Sequence, residues 1–421
     1  MSLPIRTVRR AIAAALLTPA LAAAQDAALP ADPRLRAALD VLKRDNAWTV
    51  QQQVALCEIP APPFKEAARA AAYKALLEQQ GLTNVRIDAE GNAIGERPGT
   101  GGGPTVVLAG HLDTVFPEGT DVKTKRDGDR IHGPGISDDC RGLAVVLAVA
   151  RAFKEANVQL PGTVIFVGNV GEEGPGNLRG VRHLYAKELA GRIDYFISVD
   201  GTGLGTTSGA VGSNRYRVTF SGPGGHSYGD FGMPNPVHAM GRAIAGIADL
   251  QVTRSPRTTF SVGVVRGGTS VNSIAMESSF DLDMRSVSAS ELAAVDARVQ
   301  KILQDAVAAE NARWTVTDTT RRVRLKVDTI GLRPAGSQPN DAPIVRAALE
   351  SARALGFTTR VGASSTDANV PIGLGKPGIT IDGGGRGDGA HSLEEWYEDG
   401  PNGWLGPQWA SLIVSRLAGK G

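Results

Sequence analysis

Cysteine is nearly absent: Cys57 and Cys140 are the two in 421 residues. Two thiols cannot build a disulfide framework, so a chain of this length must rely on packing and on any metal it binds. Cys140, beside Asp138 and Asp139, reads as a small residue packed under a site rather than a reactive thiol. Beyond residue 24 no apolar run is long enough to cross a bilayer. No basic patch argues for nucleic acid. The glycine runs near 101 and 383 stand in no phosphate-loop or dinucleotide pattern, and the His-Glu-x-x-His helix of the commonest single-zinc proteases is missing. Nothing suggests collagen, coiled coil, low complexity or a solenoid repeat.

What is present is ordinary globular material, 42% hydrophobic and 21% charged, and 421 residues favour two domains over a single core. Residues 1–24 have the layout of a secretory signal: Arg6, Arg9 and Arg10, then AIAAALLTPALAA, then small residues before Gln25. Cleavage is expected near Ala24, placing the protein in the periplasm or outside the cell. The run is too short and too rich in alanine for a comfortable membrane anchor, and Pro19 interrupts it. Arg9 and Arg10 also admit a twin-arginine reading, which leaves the export route open. Loss of the segment removes three arginines and no acids, taking the formal charge from +2 to −1.

The rest alternates between short apolar runs and helical patterns. TVVLAGHLDT, TVIFVGNVGEE and YFISVDG read as strands of an α/β domain with a largely parallel sheet. Between the first two, Leu143, Val146, Leu147, Ala150 and Phe153 share one face of an amphipathic crossover helix. From YRVTFSG onward the texture becomes β-α-β-β-α-β, with a last strand near WTVTDT, an α+β, ferredoxin-like unit inserted into the first domain. The division is 25–213 and 326–421 for the first domain and 214–325 for the insert.

Ligands of open α/β sheets collect beyond the carboxyl ends of the strands. His111 and Asp113 follow the first strand, Glu172 and Glu173 the second, and Asp200 closes the third. His111 and Asp113, two apart on extended chain, project to the same side, so one can bind a metal while the other orients its imidazole. Adjacent Glu172 and Glu173 repel unless a cation lies nearby, and an activated water needs one carboxylate as ligand and one as base. Taken singly, each of these is an ordinary polar strand end.

Together with their neighbours they are not. The succession GHLDTV, GPGISDDCRG, GNVGEEG, SVDG, GPGGHS and GAHS resembles the M20 family of metallopeptidases, which includes glutamate carboxypeptidase, peptidase T, carnosinase, aminoacylase and succinyl-diaminopimelate desuccinylase. The six motifs run in order through nearly all of the chain beyond residue 24. The resemblance implies a dinuclear zinc exopeptidase domain, with cobalt or manganese as alternatives, and an inserted domain for dimerisation. It implies that His111 and Asp200 hold one metal, that Glu173 and His391 hold the other, and that Asp138 bridges them. It further implies that Asp113 braces His111, that Glu172 is the general base, and that His226 of the GGHS motif stabilises the oxyanion in the neighbouring subunit of a homodimer. Asn272 and Arg285 match substrate-contacting positions of relatives, and an arginine there suits an exopeptidase reading a free carboxylate. Arg333 in GLRPAG is a weaker candidate of the same kind. An Asp at position 200 resembles the aminopeptidase and dipeptidase members, where the deacylases carry Glu, so a small peptide is favoured as substrate over an N-acyl amino acid.

Two positions depart from the family pattern. Cys140 and Arg141 stand where relatives often carry Lys, which leaves the charge around the bridging Asp open. The chain also reads NSIA, without the Pro that usually follows the Asn, which leaves the placement of the substrate loop open. His132, His183 and His238 read as structural, and Arg386-Gly387-Asp388 as a chance adhesion-like tripeptide. The alternatives are an amidohydrolase of N-acyl amino acids and, from another class, a catalytically silent binding protein. The complete ligand-and-base set opposes the last.

Overall fold

The computed structural model describes residues 29–314 and 316–419, so the expected signal segment lies outside the described residues. A nine-stranded sheet organises the larger domain. Its centre is parallel: Val106–His111 lies between Val164–Asn169 and Tyr195–Val199, and Gly378–Ile381 adds to the far side of Tyr195–Val199. Ala93–Arg97 flanks one side antiparallel and Thr206–Ala210 the other. Every residue of Val106–His111 and Val164–Asn169 is buried, as continuous apolar runs covered on both faces should be. Alternation assigns the faces: Val106 and Leu108 enter one core, Val107 and Ala109 the other.

The crossover helix forms as Cys140–Glu155, but 13 of its 16 residues are buried, where a single apolar face was expected. The reason is a second layer. Helices Pro33–Arg44, Asn46–Cys57 and Leu405–Ala418 pack over its outer side, so it is a core helix rather than a surface one. Asp139 caps it, accepting from the Gly142 amide at 2.9 Å. Gly142 is required because a Cβ there would lie 2.1 Å from the Val199 carbonyl oxygen, which lets the helix start close against the sheet.

The insert is a four-stranded antiparallel sheet in the order Thr258–Gly267, Glu277–Ser286, Gly212–Ser221, Arg324–Arg333. Helices Pro236–Ala248 and Ala289–Arg313 cover one face around Val218, Phe220, Phe280, Leu282 and Val299. One element differs from expectation. The last strand is Arg324–Arg333, not WTVTDT, because the preceding helix runs to Arg313 and only the later segment pairs with Gly212–Ser221. The uncovered face carries Arg215 and Arg217 in cross-strand ion pairs with Asp283 and Asp281, and Arg285 pairs with Asp283 two residues before it on the same strand.

Cys57 and Cys140 are joined in a disulfide, with Cα atoms 5.5 Å apart. This corrects the expectation of packed free thiols. Packing was rightly expected, since both are fully buried beside Ile136 and Tyr397. Pairing was missed because 83 residues separate them and only the fold brings helix Asn46–Cys57 against the start of Cys140–Glu155. Among the described residues no helix is long and apolar enough to cross a membrane.

Candidate metal centre

The ends of the three central strands converge. His111 closes its strand with the imidazole buried, and its Nδ1 lies 3.0 Å from the Asp113 main-chain oxygen. A carbonyl only accepts, so Nδ1 carries the hydrogen and Nε2 is left with its lone pair. That lone pair faces Asp138 Oδ1 at 2.9 Å. Two acceptors so placed need a positive charge between them.

Asp138 stands in the turn before the core helix, its other oxygen 3.2 Å from His391 Nε2. His391 in turn lies 3.0 Å from Glu173 Oε1. The loop bearing His391 is held between strands Arg386–Asp388 and Trp396–Glu398 of a small antiparallel sheet, which absorbs the Arg-Gly-Asp tripeptide as structure. His391 has φ 67°, left-handed backbone rarely adopted by non-glycine residues and concentrated at functional sites.

Ligand atoms of His111, Asp138 and Asp200 lie within 4.8 Å of one another, as do those of Asp138, Glu173 and His391. Asp138 belongs to both groups, so the geometry brings together all five residues expected as ligands, with Asp138, the expected bridge, in the middle. Burial, and then the charge of Asp138, drives the Asp200 carboxyl well above its ordinary value. Hydrogen bonds to Asp138 and Glu173 raise the His391 imidazole to about 10. Such a concentration of buried acids around two imidazoles calls for cations, and a carboxylate shared between two His-and-carboxylate groups suits a pair of divalent ions.

Asp113 does more than brace His111. Its main-chain oxygen meets the imidazole, with the carboxylate 3.7 Å away. The carboxylate accepts instead from the amides of Glu172 at 3.0 Å and Glu173 at 2.8 Å, tying the loops after two strands together. Glu172 is buried and pairs with Arg333, Nη1 to Oε1 at 2.9 Å. Burial nevertheless pushes its carboxyl up to about 8.

Glu172, Asp200, Arg285 and Arg333 line one cavity of about 500 Å³ together with Asp138 and His391. His226 and Asn272 are not among the residues lining it. They sit side by side on an exposed edge of the insert, where His226 pairs with Ser273 in a short ladder and the Ser227 amide donates to the Asn272 carbonyl.

Two contributors, Glu395 and Arg215, escaped the sequence, and the place of a third, Arg141, was left open. Glu395, fully buried, accepts from the amides of Gly135 at 2.7 Å, Ser137 at 2.8 Å and Asp138 at 3.0 Å. Its signal was its place four residues after His391. Arg141, whose charge was left open, donates to the carbonyls of Gly383 and Gly403 at 2.8 and 2.7 Å and lies 3.8 Å from the Asp399 carboxylate. Arg215 also lines the cavity, with no motif to mark it.

The family model for Peptidase family M20/M25/M40 matches residues 107–402. Carboxypeptidase G2 of Pseudomonas sp. (strain RS-16) is 32% identical over 164 residues, 37% of this chain and 39% of that protein. Succinyl-diaminopimelate desuccinylase of Bordetella avium is 31% identical over 219 residues, 48% and 58% of the two chains. The matches thus span less than two thirds of these curated relatives. Among solved structures, aminopeptidase PepT of Bacillus cereus superposes with TM-score 0.70 at 21% identity, over 88% of this chain and 97% of that one. A dinuclear metal binding peptidase of the M20 family from Bacillus subtilis does so with TM-score 0.64 at 18% identity, over 89% and 99%. These likenesses establish the shared fold, and the family model spans most of the chain, including every motif from GHLDTV to GAHS: the chain belongs to peptidase family M20/M25/M40.

Proposed function

We propose that this hydrolase is an exported two-metal exopeptidase acting on small peptides, with Glu172 as general base. The observation that carries the reading is the sharing of Asp138 between two ligand groups in the cavity that Glu172 also lines. Two divalent cations in those groups would supply the charge that acidifies a water and polarises the scissile carbonyl. Zinc is the first choice and cobalt or manganese suit the same donors.

Glu172 accepts the water's proton and delivers it to the leaving amine, as its burial and its pairing with Arg333 suit it to do. Asp113 fixes the Glu172 and Glu173 amides and so the place of both carboxylates. Arg285, lining the cavity, is placed to read the free terminus of an exopeptidase substrate. His226 lies on an edge whose neighbours Tyr228, Phe231, Val271 and Met276 are exposed. An apolar surface of that kind supports a homodimer in which His226 of the partner subunit completes the oxyanion site, with Asn272 beside it.

Glu172→Gln tests the base. The variant should keep two metals per chain and lose roughly 10²-fold or more in kcat; loss of metal along with activity would make Glu172 a ligand and overturn the assignment. A second reading has its own support, since the desuccinylase among the curated relatives removes, by its name, a succinyl group. Turnover of dipeptides, tripeptides and N-acetyl amino acids in one panel separates the two, and hydrolysis confined to the acyl compounds would replace peptidase by deacylase.

A further inference from the structure

Five acids line the cavity at the metal centre: Asp138, Glu172, Glu173, Asp200 and Asp382. Four of them are accounted for. Asp138, Glu173 and Asp200 belong to the two ligand groups, and Glu172 is held by Arg333. Asp382 directly follows the strand Gly378–Ile381, and because Ile381 pairs with Val199 it stands beside Asp200 at the carboxyl edge of the sheet. Among the described residues it belongs to neither ligand group and has no cationic partner.

Its carboxylate is nonetheless held in place. Oδ2 accepts from the Gly205 amide at 2.6 Å, and the loop before Thr206–Ala210 closes tightly on that oxygen, since a Cβ on either Gly203 or Gly205 would lie 2.9 Å from it. Among the described residues no other hydrogen bond reaches the carboxylate, so Oδ1 is left as a free acceptor. An ionised carboxylate has about four acceptor sites, and here the protein fills one. Burial pushes the Asp382 carboxyl up to about 6, against the pull of the Gly205 amide. A fixed acid in that condition gains from any cation that can reach it, and the approach is from the cavity.

We infer that Asp382 reads an ammonium group of the substrate, with Oδ1 as the acceptor. A free α-amine and the amine of a basic side chain both offer this chemistry, a compact cation with three donors. The inference rests on the exopeptidase reading above and deepens it by making Asp382 a specificity residue for a positively charged substrate group. The bland account is that Asp382 only receives the Gly205 amide. An asparagine would do that equally well, because its side-chain carbonyl accepts from an amide but carries no charge. The neutral variant therefore separates the two accounts.

Matched pairs of peptides isolate the ammonium. Alanyl-alanine and propionyl-alanine differ by the α-amine; alanyl-lysine and alanyl-norleucine, and lysyl-alanine and norleucyl-alanine, differ by the side-chain amine. For the metal-loaded full chain kcat/KM is compared within each pair, and calorimetric binding where neither member is cleaved. The member with the ammonium should be favoured at least about tenfold in one pair, a ratio that one charge-assisted hydrogen bond accounts for, and the pair that responds identifies the source of the amine. Asp382→Asn should collapse that ratio to below about threefold, and Asp382→Ser should do the same, so that whichever folds by circular dichroism decides. Equal handling within every pair, or a ratio that survives in a folded neutral variant, overturns the inference. The exopeptidase reading stands or falls separately: peptides cleaved with no preference for the ammonium would uphold it alone, and a preference in binding with no peptide cleaved would refute it alone.

Discussion

Arg333, the last residue of the inserted sheet, donates through Nη1 to Glu172 Oε1 at 2.9 Å, across 161 residues of sequence and with both side chains buried. This contact fastens the insert to the loop that carries the proposed base. It also sets the charge there. Burial pushes the Glu172 carboxyl up to about 8, and Arg333 pulls it down.

Arg333→Met should therefore raise the Glu172 carboxyl further. A base with a raised pKa stays protonated to higher pH, so the acid limb of the kcat/KM profile should move upward, with the loss of activity largest on the acid side. Breaking a buried pair also strands the remaining charge, at a cost of roughly 3–5 kcal/mol if Glu172 stays ionised. A pH–rate profile of the variant checks this. An acid limb that stays put while activity falls evenly at all pH values would mean that Arg333 acts elsewhere.

Glu395 is the comparable support for Asp138, because its oxygens take the amides of Gly135, Ser137 and Asp138. Glu395→Gln keeps the shape but replaces one acceptor oxygen with a donor that faces amides. Metal affinity should drop on the order of 10–100-fold, the usual effect of loosening a ligand's support. Competition with a chromogenic chelator measures it, and an unchanged affinity would show that the Asp138 turn is fixed by the backbone alone.

How far the sequence went follows from the range of its signals. Continuous apolar runs marked Val106–His111 and Val164–Asn169 because central parallel strands are buried on both faces, and polar residues directly after each run marked the site. WTVTDT misled because alternation is only half of a strand; the other half is a partner, and Arg324–Arg333 had it. Arg215, Glu395 and the Cys57–Cys140 pair stayed hidden for a related reason. Each acts through a contact made only in the fold, across 68, 257 and 83 residues respectively. Arg333 was seen as a substrate contact, whereas its fork is occupied by Glu172.

If the oxyanion donor is His226 of the partner subunit, two inactive chains should repair one another. His226→Ala lacks the donor it would lend, and Glu172→Gln lacks the base. In a mixed dimer the first chain keeps Glu172 and receives His226 from the second, so one of the two sites is whole. Equal mixing after dissociation and reassembly should restore about a quarter of wild-type activity, since half the dimers are mixed and each has one working site. Activity that stays at the level of the parents in confirmed mixed dimers would place the donor within a single chain.

The disulfide gives the export proposal a chemical test. Cys57 ends the helix Asn46–Cys57 and Cys140 begins the core helix two residues after Asp138, so the bond pins the turn bearing Asp138 to a second helix. Closing a loop of 83 residues should stabilise the folded state by on the order of 4 kcal/mol through the unfolded chain's lost entropy. Such bonds persist in oxidising compartments. Protein purified from its own cell without reductant should show no free thiol when denatured and two per chain after reduction. Cys57→Ser leaves Cys140 as a small buried thiol in the same packing, so it should lower thermal stability by several degrees while the metal content at saturating metal stays near that of the parent. Two titratable thiols in the unreduced protein would count against an oxidising compartment, and a Cys57→Ser variant as stable as the parent would reduce the bond to a packing contact.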